Sequence, residues 1–123
     1  MIIKSVYSGV PPYITKDGSI IRELMHPAVQ GNRNQSLAEA IVPPGSETHL
    51  HQHRQTEELY HFTAGRGIMQ LGEERFPVEA GDTICIPPGT LHAVSNTGPD
   101  DLRILCVCCP PYSHDDTELV VTA

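Results

Sequence analysis

No stretch of this chain is long and apolar enough to cross a bilayer, since the longest uninterrupted apolar run, Ile104 to Cys109, falls far below the roughly 20 residues a spanning helix needs. The N-terminal MIIKSVYSGV also lacks the long apolar segment of a secretory signal, so the expectation is a cytoplasmic protein with no membrane partner. Basic residues are scarce. Eight Lys and Arg face fifteen Asp and Glu, for a net charge of −7 with neutral histidine, which argues against a nucleic-acid partner. No segment carries the periodicity of a long amphipathic helix. The eleven prolines reinforce this, because proline ends helices and is confined to strand edges and turns. Well-separated cysteine pairs, the mark of a zinc site, are absent too, and structural disulfides are not expected in a chain without an export signal.

What remains is a chain of 123 residues, enough to bury one core but not two. Short apolar pieces alternate with turn chemistry, the pattern of an all-β domain. Candidate strands are Ser19 to Leu24, Ser36 to Val42, Leu59 to Thr63, Ile68 to Leu71, Thr83 to Ile86, Leu91 to Ser95 and Leu102 to Cys109. Turns such as Lys16-Asp17-Gly18, Gly65-Arg66-Gly67 and Glu79-Ala80-Gly81-Asp82 separate them. No internal repeat or low-complexity segment appears.

Three histidines and a glutamate stand out by spacing. The first block, GSETHLHQHRQTEELYHFTAG, holds His51, His53 and Glu58; the second, GDTICIPPGTLHAVSN, holds His92. Residues two apart on a strand point to the same face about 6 to 7 Å apart, so His51 and His53 can lean towards one ion. Glu58 lies at an odd offset from His53. The polar stretch Arg54-Gln55-Thr56 must therefore turn the chain, so that Glu58 faces back from a neighbouring strand. His92 arrives on a separate strand behind the rigid Pro87-Pro88-Gly89 stop. The result is a candidate site of three nitrogens and one oxygen. Glu57 is the rival to Glu58, but only Glu58 keeps a six-residue gap to Gly65.

The two blocks resemble the paired signature motifs of the cupin superfamily. Gly45, His51, His53, Glu58 and Gly65 satisfy the first motif, and Gly81, Pro87, Gly89, His92 and Asn96 the second. The resemblance implies a small single-domain cupin, a double-stranded β-helix or jelly-roll barrel, with an N-terminal arm and first strands at 1–30, a barrel core at 31–111 and a tail at 112–123. It also implies one divalent transition-metal ion per chain, held by His51, His53, Glu58 and His92. Mn, Fe, Ni, Zn, Cu and Co all suit such ligands.

An octahedral ion with four protein ligands keeps two open positions. These can bind a small oxygen-rich or carbonyl substrate for dioxygenase-like or isomerase-like chemistry. The alternative is a metal-dependent binding module that senses or sequesters a small molecule without turnover. Members of the family that the chain resembles commonly pack or exchange strands between subunits. With the N-terminal arm, this leads to the expectation of a homodimer.

Other residues receive weaker readings. His49 shares parity with His51 and His53, so on a regular strand it would face the cavity and could orient a substrate or water; a histidine at the barrel mouth with no role is an equal alternative. Tyr60 and Phe62 share the parity of Glu58 and should line the interior, whereas His61 should point outside. His26 and His114 carry no spacing signal. Cys106, Cys108 and Cys109 alternate faces and cannot readily share one ion; packing explains them, with redox sensitivity of Cys108 or Cys109 as the other reading.

Overall fold

A computed structural model describes residues 1–120; residues 121–123, the end of the tail with Val121, lie outside the described residues. Among the described residues a 3-10 turn at Tyr7–Gly9 precedes eleven strands. These are β1 (Tyr13–Ile14), β2 (Ile20–Met25), β3 (Ser36–Val42), β4 (His51–His53), β5 (Glu57–Ala64), β6 (Arg66–Leu71), β7 (Glu74–Glu79), β8 (Thr83–Ile86), β9 (His92–Asn96), β10 (Leu102–Cys109) and β11 (Thr117–Leu119). They form two antiparallel sheets, ordered β1-β2-β3-β10-β5-β8 and β11-β4-β9-β6-β7. The all-β jelly-roll expectation is met.

Alternation builds each wall. Along β10, Leu102, Ile104, Cys106 and Cys108 are buried while the residues between them are partly open, and β5 does the same with Glu58, Tyr60 and Phe62. Inward positions at one end of the barrel are large and apolar. Phe62, Met69 and Leu102 have no exposed surface there, and Val42, Val94 and Ile104 pack with them. At that end the β5–β6 turn meets the β9–β10 connection so closely that a Cβ on Gly65 would sit 2.7 Å from the Asp101 carbonyl oxygen, and one on Gly67 2.2 Å from that of Ser95. Gly65 also has φ of +86°, so the motif glycine is required twice over.

Asn96 has an equally structural task. Its side-chain amide donates to the carbonyls of Val42 (2.8 Å) and Asp100 (2.7 Å), and its Oδ1 accepts from the Gly98 N–H. It ties the end of β9 to the facing sheet.

Three strands were not anticipated. The segment β7 carries three charged residues and Pro77, which reads as a loop. It persists because it is the edge strand of its sheet, where proline removes no necessary ladder bond. The short β1 flanks β2. The segment expected only as a tail contains β11, in which Thr117, Glu118 and Leu119 pair with His53, Gln52 and His51. Polar composition concealed it.

Candidate metal centre

The histidines come from one sheet and the glutamate from the other. Strand β4 presents His51 and His53, with Gln52 turned away between them, and β9 lies beside it with His92 directly opposite His51. Glu58 does not sit on a strand paired with β4, as the sequence suggested. The polar stretch 54–56 crosses to the six-stranded sheet, where the Asp116 carboxylate accepts the N–H groups of Gln55 and Thr56. Glu58 therefore faces the histidines across the barrel. Its neighbour Glu57 is exposed, so parity separates the two.

The four side chains converge. Metal-ligating atoms of His51, His53 and His92 lie within 4.8 Å of one another, and Glu58 Oε1 is 3.2 Å from His53 Nε2 and 3.5 Å from His92 Nε2. All four residues are at most 5% exposed. The ring centroids of His51 and His92 are 4.1 Å apart.

Outward hydrogen bonds set the ring tautomers. His51 Nδ1 donates to the His49 carbonyl at 2.7 Å and His92 Nδ1 to the Thr90 carbonyl at 3.0 Å, since a carbonyl can only accept. His53 Nδ1 lies 3.0 Å from Thr117 Oγ1, whose own proton goes to the Ser113 carbonyl, so here too the ring donates. All three Nε2 atoms are left as inward lone pairs. This is the arrangement that outer oxygens impose on metal-binding imidazoles.

Three nitrogen lone pairs and a carboxylate repel unless a cation stands among them. His92 Nε2 and Glu58 Oε1 are buried without a hydrogen-bond partner among the described residues, a state that is costly unless something positive satisfies them. Burial pushes the Glu58 carboxyl up, and the His53 and His92 imidazoles more than offset it, holding it at about 2. Burial, with His92 beside it, pulls His51 down to about 4, so the ring stays neutral and available. The donor set fits a borderline transition metal, and the His cluster could hold one ion.

A profile of the cupin domain matches residues 38–108. The chain belongs to the cupin family. It is 57% identical to an uncharacterized protein of Methanocaldococcus jannaschii, over 97% of this chain and 95% of that one. It is also 34% identical to an oxalate-binding protein of Thermotoga maritima, over 70% of this chain and 67% of that one. Among solved structures, a predicted oxalate decarboxylase from Thermotoga maritima aligns with a TM-score of 0.75 at 27% identity, over 89% of this chain and 99% of that one. The polyketide cyclase RemF from Streptomyces resistomycificus aligns with a TM-score of 0.83 over 100% of this chain and 88% of that one; at 22% identity it attests the fold alone.

The cupin motifs account for the four convergent side chains but not for the walls of the cavity in front of them. His49 does not line it. The strand begins only at His51, so the parity argument fails one step earlier. The His49 side chain is exposed, and its part in the site is its backbone carbonyl on the His51 ring. Asp17, from the turn before β2, instead places Oδ2 3.7 Å from His51 Nε2. Glu23 from β2 and Tyr112 from the tail complete the walls. Burial raises the Glu23 carboxyl above its ordinary range. None of these residues has a motif spacing; only the inward parity of β2, with Ile21 and Glu23 on one face, hinted at Glu23.

The cysteines resolve by position. Cys106 and Cys108 are buried on the cavity floor, and burial raises both thiols; Cys108 Sγ also donates to Glu58 Oε2 at 3.3 Å. Cys109 points outward and is exposed. Tyr60 and Phe62 are buried as expected, and the His61 ring lies outside against Thr83. His26 accepts from the Ala28 N–H and donates to the Tyr112 carbonyl, fastening the β2–β3 loop to the tail.

Proposed function

We propose that His51, His53, Glu58 and His92 hold one divalent transition-metal ion, and that the protein is a mononuclear metalloenzyme acting on a small oxygen-rich or carbonyl substrate. The observation that carries this reading is the convergence of three Nε2 lone pairs, each ring fixed from outside, with the unpartnered Glu58 Oε1. When bound, the ion supplies Lewis-acid or redox chemistry at its open positions. The chain's own residues hold it, exclude bulk water and shape the space in front of it. Dioxygenase-like and isomerase-like turnover both fit this arrangement.

A second reading is a metal-dependent binding module without turnover. It is favoured by relatives whose names denote binding, the oxalate-binding protein of Thermotoga maritima and auxin-binding protein 1 of Arabidopsis thaliana. Metal analysis of protein purified without an affinity tag, followed by dioxygen-consumption and substrate-conversion screens, separates the two. One ion per chain with product formation supports the enzyme; one ion with saturable binding and no product supports the module. Full metal content in a His51→Ala/His53→Ala double variant sinks both.

The same proposal includes a homodimer and a cytoplasmic setting. Ile2, Val6 and Ile14 are open to solvent along the N-terminal arm, although Arg22 stacks on Tyr7 and ties part of that arm to its own barrel. An apolar arm beside the β1 edge suits pairing with a second copy. The four cysteines are free thiols, in keeping with a reducing compartment.

A further inference from the structure

The cavity has a metal end and an acidic end, and the floor between them is made of small side chains. On the six-stranded sheet one row of facing residues runs Glu23, Ala38, Cys106, Tyr60, and the next runs Ser36, Cys108, Glu58. Glu23 stands three strand spacings, about 14 Å of backbone, from Tyr60. Ser36, Ala38, Cys106 and Cys108 leave the space between them open, and all four line the cavity.

Two carboxylates outside the candidate ligand set face this space. Asp17 Oδ1 accepts from the Thr15 hydroxyl (2.6 Å), the Ser19 N–H (2.9 Å) and the Ser19 hydroxyl (2.6 Å), which leaves Oδ2 turned towards His51. Glu23 Oε2 has only the Tyr13 hydroxyl at 3.5 Å, and Glu23 Oε1 is buried with no hydrogen-bond partner among the described residues. Among the described residues, no Lys or Arg lines the cavity.

A divalent ion thus meets three carboxylates, Glu58, Asp17 and Glu23, with no Lys or Arg in the lining to offset them and His26 acting on Glu23 only from outside it. A second carboxylate on a ligand would enter this low-dielectric space without a counter-charge, whereas a hydroxyl or ammonium would satisfy Glu23 Oε1.

We propose that the cavity selects a small bidentate oxygen ligand, neutral or singly charged, whose far end carries a hydroxyl or ammonium for Glu23, and that it disfavours dicarboxylates. This rests on the metal reading above, and it names the substrate class of that same site. It separates this chain from a relative named for oxalate, a dicarboxylate.

Three acids with one skeleton and one chelating end test it: isoserine, glycerate and tartronate, which end in ammonium, hydroxyl and carboxylate. Metal content is measured first on cobalt-loaded protein, and ligand affinity is then read from the cobalt absorption spectrum. A chain that takes up no ion overturns the metal reading and this proposal with it. At one ion per chain, isoserine is expected to bind at least about tenfold more tightly than tartronate, with glycerate between. Free divalent ions favour the more highly charged tartronate, so such an inversion reports on the cavity walls. Glu23→Gln, with metal content retained, should cut the isoserine-to-tartronate ratio at least about fivefold, and Asp17→Asn is the second variant should the first not fold. Tartronate binding as tightly as isoserine to the loaded protein, or a ratio unchanged in the variants, overturns the ligand class while leaving the ion in place.

Discussion

The two ends of the barrel are made from the same strands yet have opposite chemistry. Along β5 the inward positions run Glu58, Tyr60, Phe62; along β9 they run His92, Val94, Asn96; along β10 they run Cys108, Cys106, Ile104, Leu102. Within two residues each strand passes from a polar or polarisable group aimed into a cavity to a side chain packed against its neighbours. The apolar end is satisfied by itself, through contact and exclusion of water. The polar end is not, since His92 Nε2 and Glu58 Oε1 are buried without partners. One end holds the fold; the other carries an electrostatic cost that a bound cation relieves.

The comparison breaks first where the packing is densest. Phe62→Ala should destabilise the protein by about 3–5 kcal/mol, measured by denaturant unfolding, while the fraction that stays folded keeps its metal. Loss of metal at equal stability would show that the two ends are not separable.

His92→Ala should do the reverse. Metal content after dialysis against a chelator is expected to fall more than about a hundredfold, with the β-type circular dichroism retained. A smaller change holds for Thr117→Val, which removes the hydroxyl that orients His53 from β11. Its expected cost is about ten- to hundredfold in metal affinity, with the ligand set intact. An unchanged affinity would mean that the tail strand plays no part in the site.

Acid should act on the polar end alone. His51 is held at about 4 in the fold against 6.5 when unperturbed, so between those values the unfolded chain binds the extra proton. The stability of the metal-free protein is therefore complete above pH 6.5 and declines as pH falls towards 4. Glu58, lowered from 4.5 to about 2, extends the decline below pH 4.5, where the unfolded carboxylate protonates first. Melting temperature across this range checks the sign; a flat profile would contradict the buried neutral ring.

The smallest effect is chemical. Thiol labelling of the native protein should modify the exposed Cys85 and Cys109 and spare the buried Cys106 and Cys108, with no loss of metal. Rapid reaction of Cys108 would show that the cavity floor is open.

The alternation of β3, β5 and β10 was legible because a two-residue period leaves its mark directly in the residue order, and the bounds of β3, β8 and β10 match their expected ranges. The choice of Glu58 over Glu57 rested instead on motif spacing, the six-residue gap to Gly65. Strands β7 and β11 were not legible, because an edge strand and a strand laid over a polar site do not need apolar alternation. His49 was misplaced by extending that period past the start of β4, where the backbone N–H already donates to the Asp17 carbonyl instead of continuing a ladder.

The residue order by itself determined the β architecture, the family and the four side chains that converge, since these depend on short-range period and on motif spacing. Tertiary structure decided which sheet each candidate ligand belongs to, that Thr117 and the carbonyls of residues 49 and 90 set the ring tautomers, and that Asp17 and Glu23 stand in the cavity. Glu23 and Glu58 are 35 residues apart, and Thr117 and His53 are 64 apart. Contacts at that range are made by how strands pair across a sheet and how two sheets face each other, and a period of two residues carries no record of either.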